Sequence, residues 1–377
     1  MPHPLQNDLY RFIADPAGGS FEALALRLFA WQYENIAPYH HYVRALGRNP
    51  ADTTRWQDIP ALPTNAFKHP HLPICSVLPP SGRRAESERA TSGSVSKEEH
   101  GELASGRPAG VQALHFAGQA SGRGLAGQAT FHTSGTTTGQ HGQHHFPETG
   151  TYQRSILAAW QQLRLPTPPR AFFLSPPPAE KPHSSLIHMF GVLNHAHFGG
   201  SDSAFLQKAD LLDTSTLRQA LAHDASPILL AGTALAFLHL LKTTDPLPLP
   251  PGSRLLETGG YKNSRRELSK KELYARLSRH FELPTGALIN EYSMTELSSQ
   301  AYTHGLGQAH RLPPWCRARL TAQGHLILHD LANLHSCAAI RTQDFATLID
   351  DHHFLLHGRD PAALPRGCSL TAEDLRP

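Results

Sequence analysis

Residues 228–242 read ILLAGTALAFLHLLK. An apolar run, "ILLA", ends on two small residues, Gly232 and Thr233, and a stretch with helical apolar spacing follows. The unit recurs: "AFFL" (171–174) ends in Ser-Pro-Pro, "RLLE" (254–257) in Thr-Gly-Gly, and "ALIN" (287–290) in Glu-Tyr-Ser-Met-Thr-Glu. Helices are predicted at 152–163, 234–242 and 266–281, the last with Leu273, Leu277 and Phe281 along one side. Strands that are apolar throughout and alternate with helices predict an α/β fold, with a mostly parallel sheet covered on both faces. Such sheets bind ligands beyond the carboxyl ends of their strands, which is where the small polar residues fall.

On either side of this repeat the pattern changes. From about Arg319, "HLILHD", "CAAIRTQDFATLID" and "HFLLHGRD" are short strands with little helix between them, predicting a small antiparallel β subdomain at 319–360. Upstream, 20–47 predicts a helical segment with Leu24, Leu28 and Trp31 on one face and a break at Pro38. "IPALPTNAFKHPHLPICSVLPP" (59–80) carries too many prolines for helix and reads as extended connection. Residues 81–128 are rich in Ser, Gly, Arg and Glu and poor in large apolar side chains, so they cannot offset their own ordering entropy and read as a disordered insertion.

Bulk composition narrows the function classes. The chain has 377 residues, 40% hydrophobic and 17% charged, as a globular protein does. A net charge of +3 with neutral histidines gives no nucleic-acid signature. Four widely spaced cysteines form neither a disulfide framework nor a zinc ribbon, which fits a reducing compartment. "MPHPLQNDLYRF" lacks a signal pattern and no apolar run reaches membrane-spanning length, so a soluble cytoplasmic protein is expected.

Two stretches carry chemistry. "ATFHTSGTTTGQHGQHHF" (129–146) packs hydroxyls and glycines into one turn, whose backbone N–H groups can wrap a polyphosphate; no Gly-Lys-Ser/Thr follows Gly139, so it is not a Walker A loop. Its bland alternative is a hydrophilic surface turn. "INEYSMTELSSQAY" places Glu291, Tyr292, Thr295 and Glu296 directly after a strand, and carboxylates there suit a Mg²⁺ shared with phosphate oxygens. A capped helix start, with Ser293 or Thr295 as N-cap and Glu296 at the positive end of the dipole, explains the same residues. His141, His144 and His145 show no metal-ligand spacing and read as solvated loop histidines.

Together these stretches resemble the phosphate-loop motif ("TSGTTTG") and the Tyr-x-x-Thr-Glu motif ("EYSMTE") of adenylate-forming enzymes, the acyl- and aryl-CoA synthetase superfamily. "IRTQDF" resembles its ribose-binding aspartate motif and "GRD" (358–360) its hinge motif, all four in the family's order. "IPALPTNAFK", "SSLIHMFGVL", "LETGGYK" and "RGCSL" further resemble the LuxE-like acyl-protein synthetases, over most of the chain except 81–128. The phosphate turn departs by an extra threonine and by Gln140–His141 in place of Pro-Lys.

The resemblance implies a catalytic domain with a helical N-terminal segment (1–80), an α/β nucleotide-binding core (129–318), the β subdomain and a flexible tail (361–377), without the superfamily's mobile C-terminal domain. It implies that Thr133, Ser134, Gly135, Thr136, Thr137 and Gly139 hold the ATP phosphates and that Gly259 and Gly260 line the adenine. Tyr292 borders the nucleotide, Thr295 lies near the α-phosphate and Glu296 holds Mg²⁺. Asp344 takes the ribose hydroxyls, with Arg359 assisting. Lys262 is the candidate for the missing domain's cation, its alternative being a solvated lysine opening a basic helix.

Cys75, Cys316 and Cys337 read as small buried hydrophobes. Cys368, just after Arg366 in a polar tail, reads as a thiolate that takes the acyl group from acyl-AMP. "SSLIHMFGVL" (184–193) and "LAGTALAFLHLL" (230–241) read first as core, with Ser185, His188 and Met189 as acyl-pocket candidates. The implied substrate is a carboxylic, fatty acid, and the implied partner is an acyl reductase or carrier protein, with no nucleic acid and no membrane. The alternatives are a CoA ligase of the phenylacetate–CoA ligase type and a nucleotide-binding protein with a decayed site.

Overall fold

The computed structural model describes residues 5–69, 72–77, 127–133, 141–201, 204–209, 211–259 and 268–360. Residues 81–126 of the predicted insertion, the turn residues Ser134, Gly135, Thr136, Thr137 and Gly139, and also Gly260, Lys262 and Cys368, lie outside them.

The chain opens with helices α1 (Gln6–Ala14), α2 (Phe21–Asn35) and α3 (Ala37–Ala45). Ser20 caps α2 by accepting from the Ala23 N–H, and Pro38 sits in the first turn of α3, where its missing N–H breaks no helical bond. The proline-rich connection forms a two-residue strand, β1 (Leu62–Pro63), and a tight turn over Thr64–Lys68. A two-stranded hairpin follows, β2 (Ala129–His132) with β3 (Gln143–Phe146). The α/β repeat then runs α4 (Gly150–Gln162), β4 (Arg170–Phe173), α5 (Ser185–His197), a small hairpin of β5 (Gln207–Lys208) and β6 (Leu211–Leu212), α6 (Thr214–His223), β7 (Ile228–Thr233), α7 (Ala234–Thr243), β8 (Arg254–Thr258), α8 (Lys270–Phe281) and β9 (Leu288–Tyr292). The last helix starts at Ser269 with a reciprocal capping box to Glu272.

β4, β7, β8 and β9 are parallel neighbours, as predicted. Successive residues alternate faces. Leu229, Ala231, Leu256 and Ile289 pack under α4, α5 and the β2–β3 hairpin, while Leu230, Leu255 and Leu288 pack under α7 and α8.

The C-terminal strands are antiparallel, but they join the same sheet. β10 (Ala301–His304) returns along β9, and β11 (His310–Arg311) and β15 (His353–Arg359) extend it to β14 (Ala339–Leu348), β13 (His325–Asp330) and β12 (Cys316–Leu320). Among the described residues the sheet has eleven strands, β1 lying parallel to β14. The N-terminal helices cover this antiparallel half: Leu28, Phe29 and Val43 pack in one core with Leu326, Leu328 and Ile340.

The link between β9 and β10 is irregular and buried, so its backbone groups need side-chain partners. Asp330 supplies one of them, accepting from the Ser298 N–H at 2.8 Å, and it also accepts from the Ser299 hydroxyl at 2.8 Å and the Ala332 N–H at 3.0 Å. Asn333 donates to the Glu296 carbonyl at 2.8 Å and accepts from the Ser298 hydroxyl at 2.5 Å. We expect Asp330→Ala, which strands three donors, to lower unfolding stability by about 3 kcal/mol. Urea titration followed by tryptophan fluorescence checks it, a loss under about 0.5 kcal/mol refuting this role.

Candidate active site

The neck of the Thr/Gly turn is tightly closed. The Thr133 N–H donates to the Gly142 carbonyl at 2.8 Å, and the Gly142 N–H returns to the Thr133 hydroxyl at 2.7 Å. His141 Nδ1 adds a bond to the Thr133 carbonyl at 2.8 Å. Position 142 is glycine for a steric reason: a β-carbon there would come within 3.0 Å of Thr133 Oγ1 and 3.3 Å of Lys68 Cγ. The same approach sets the stem of Lys68 against the turn. Thr133, expected to contact phosphate, is buried here with its hydroxyl accepting within the neck.

The Tyr-x-x-Thr-Glu segment meets that neck. Thr295 donates through Oγ1 to the His132 carbonyl at 3.3 Å, and its own carbonyl accepts from His144 Nδ1 at 2.7 Å. Its backbone forms a turn, Leu297 N–H to Met294 carbonyl at 3.0 Å, and no helix begins there. The alternative reading of a capped helix start is thereby set aside: Asp330 and Asn333 take the backbone groups of 296–298 that a helix would have used. His144 is corrected too. It is 1% exposed, not solvated, and burial pushes its pKa down to about 4, with the bond to the Thr295 carbonyl pulling weakly the other way. His145 is only part-buried, and its ring meets the Thr130 hydroxyl at 3.0 Å.

At the far side of this segment, the Tyr292 hydroxyl donates to Asp344 Oδ2 at 2.8 Å. Asp344 lies opposite Arg359 in the β14–β15 ladder, and the Arg359 guanidinium reaches the Gln343 side chain. Tyr292, Asp344 and Arg359, which the sequence motifs grouped functionally, are therefore spatial neighbours.

The carboxyl ends of the parallel strands are level. Thr233 pairs with Thr258, and Thr258 with Glu291. Gly259, immediately beyond, has φ +72°, a conformation that favours glycine. Glu291 is 2% exposed, its Oε2 takes the Thr258 hydroxyl, and burial raises its pKa to about 7 against the opposing pull of the Ser293 and Thr258 hydroxyls.

Among the described residues no three or more His, Cys, Asp or Glu side chains group to hold a metal. Mg²⁺ commonly keeps its waters and takes one or two carboxylates beside substrate phosphates, and Glu296 next to the Thr295 hydroxyl fits that donor set. Glu296 is 1% exposed, so its carboxylate belongs to the enclosed wall of the segment.

The acyl-pocket candidates line α5. The Ser185 carbonyl accepts from the Tyr152 hydroxyl at 3.2 Å, His188 stacks on the Tyr152 ring at 5.5 Å, and Met189 Sδ meets the Tyr302 hydroxyl at 3.9 Å. Cys75, Cys316 and Cys337 are buried with raised pKa values, the unreactive state expected of them. Sequence reasoning missed His132 and His183, whose rings stack at 4.5 Å beside the neck, and also Lys68 and Thr258. Thr258, the polar end of an apolar strand, and Lys68, the last residue of "IPALPTNAFK", left signals in the sequence.

No protein-family model matches the chain, and no curated protein matches it. Among solved structures, an acyl-CoA synthetase (AMP-forming)/AMP-acid ligase II-like protein from Dyadobacter fermentans DSM 18053 is 15% identical with TM-score 0.40, covering 62% of this chain and 60% of its own. ATP-bound MatB from Rhodopseudomonas palustris is 12% identical with TM-score 0.39, over 61% and 48%. The anthranilate CoA ligase AuaEII in complex with anthranoyl-AMP is 11% identical with TM-score 0.40, over 60% and 46%. The chain thus spans about half to three-fifths of the lengths of these proteins. Overlap at this level assigns neither activity nor site residues.

His144 predicts an acid-labile clasp. Its folded pKa lies below the unfolded value near 6.5, so its contribution is full above that pH and is lost as pH falls toward about 4. From pH 7 to pH 5 we expect it to account for about 2 kcal/mol of lost stability. Urea unfolding at the two pH values checks this, and His144→Phe should flatten the dependence; an unchanged slope refutes it.

Proposed function

We propose that this protein activates a carboxylic acid with ATP. A carboxylate oxygen attacks the α-phosphorus, the bond to the β-phosphate oxygen breaks, pyrophosphate leaves and acyl-AMP remains. The observation that carries this reading is the clasp of Thr295 between His132 and His144, which holds the Tyr-x-x-Thr-Glu segment against the neck of the Thr/Gly turn. It brings two sequence-distant, phosphate-suited segments to the carboxyl ends of the parallel strands, the usual ligand edge of such a sheet.

In this reading the turn 133–139 takes the phosphates, Thr295 faces the α-phosphate and Glu296 meets the Mg²⁺ that accompanies ATP. Gly259 and Gly260 leave room for the base, while Asp344, flanked by Tyr292 and Arg359, takes the ribose. Mg²⁺ supplies charge neutralisation at the phosphates when bound. Lys262 supplies a further cation, and Lys68, whose stem rests against the neck, is a second source of positive charge. Cys368 then attacks the acyl carbonyl, AMP leaves, and the thioester passes to a partner protein such as an acyl reductase. The alternative acceptor is coenzyme A.

ATP–pyrophosphate exchange over a panel of acids tests the first step. Glu296→Gln should reduce exchange at least tenfold, and exchange with no acid, ATP binding being intact, refutes the reading. Labelled acid separates the acceptors: label retained by the protein and lost in Cys368→Ser identifies self-acylation, whereas turnover only on adding coenzyme A identifies the ligase.

A further inference from the structure

Between α4, α5 and the carboxyl ends of β8 and β9 lies an apolar layer of Phe131, Phe190, Leu193, Leu256 and Ile289. Polar groups are set into it. Glu291 faces this side, directly opposite Tyr302 in the β9–β10 ladder, and its Oε1 is buried without a hydrogen-bond partner. Gln300 Oε1 is likewise buried and unpartnered, although the same amide bonds to the Tyr152 hydroxyl. Tyr152 in turn stacks on His188, whose Nε2 is enclosed and unpartnered and whose ring also meets Phe131 at 5.2 Å. Buried polar atoms are almost always paired in folded proteins, and several left open in one layer are an unexplained expense unless something meets them. Among the described residues neither Glu291 nor His188 has a charged side chain hydrogen-bonded to it, so the layer offers hydrogen bonds rather than a bonded counter-ion.

We propose that this layer is the acid-binding subsite and that it selects a carboxylic acid whose body carries an uncharged hydrogen-bonding group, such as a hydroxyl or an amide, over an unsubstituted alkyl or aryl acid. Glu291, Gln300 and His188 are the specificity-determining residues. The proposal rests on the adenylating reading and deepens it. The hydrophobic surroundings take the carbon skeleton, while the open atoms pair with the substituent. A site built to hydrogen-bond a substrate group discriminates strongly against the analogue that lacks it, because the site's own polar atoms then stay unpaired.

The test is pyrophosphate exchange by the full chain with matched pairs: straight-chain acids against their ω-hydroxylated forms, and benzoate against hydroxybenzoates. We expect kcat/KM to favour the hydroxylated member of at least one pair by about tenfold or more. Glu291→Leu and His188→Leu should each bring that ratio down at least fivefold, chiefly through KM of the hydroxylated acid; a merely structural fault lowers both members together. Should Glu291→Leu fail to fold, His188→Leu, at a part-buried helix position, decides. Preference for the unsubstituted member in every pair, or a ratio unmoved in the folded variants, overturns the proposal while adenylation stands. Exchange with no acid at all overturns adenylation and this inference together.

Discussion

The site depends on one clasp, the seat of Thr295 between the His132 carbonyl and the His144 imidazole. The β2–β3 hairpin is a separate two-stranded sheet, and such a pair is marginal unless it packs on something else. Phe131 and Phe146 anchor it under α4, but apolar packing does not fix its register to the angstrom. Directional bonds to Thr295 do. A carbonyl can only accept, so His144 must carry its proton on Nδ1, and burial keeps the ring neutral in that tautomer. A charged imidazole would gain from the carbonyl but lose more through desolvation, which is why its pKa falls rather than rises.

Behind the clasp stands a second set of polar contacts. The segment from Glu296 to Gln300 is buried without belonging to a helix or a ladder, so each of its backbone groups needs a local partner. Asp330 and Asn333 provide them from the end of β13, and Gln32 of α2 bonds the Asn333 carbonyl at 2.7 Å and the Ala338 N–H at 3.0 Å. A helix near the N-terminus therefore stiffens, through Asn333, the segment that follows Thr295. Burial raises the Asp330 pKa, with the hydroxyl and N–H donors around it opposing that rise.

Local pattern revealed the parallel strands and their helices because each is a short periodic run: "ILLA", "RLLE" and "ALIN" became β7, β8 and β9 nearly residue for residue. It also indicated which motifs belong together, since Tyr292, Asp344 and Arg359 do meet. What it could not carry was long-range pairing. Nothing local says that α2 packs on strands three hundred residues later, or that β10 and β11 join the antiparallel strands to the parallel ones. The capped helix start that stood as the alternative reading after Tyr292 does not form for the same reason: Ser293, Thr295 and Glu296 have the chemistry of an N-terminus, but Asp330, remote in sequence, takes the N–H of Ser298. His144 sits among polar loop residues in the chain, and only the fold buries it.

Glu257 and Glu291 show how one sheet edge separates two carboxyls by face. They stand on adjacent parallel strands, one residue apart in register, since Glu257 pairs with Asn290 and Thr258 with Glu291. Alternation sends Glu257 toward α8, where its Oε2 gathers Lys270 at 3.2 Å, Tyr274 at 3.1 Å and Asn290 at 2.8 Å. Glu291 turns to the α5 side, where burial raises its pKa to about 7 against the opposing pull of the Ser293 and Thr258 hydroxyls and the charge of Lys270. The first carboxyl is committed to holding α8 on the sheet. Each keeps a buried Oε1 without a hydrogen-bond partner, but that of Glu291, whose Oε2 takes the Thr258 hydroxyl, lies one residue nearer the carboxyl end and on the α5 side, the edge where this class of sheet meets its ligands.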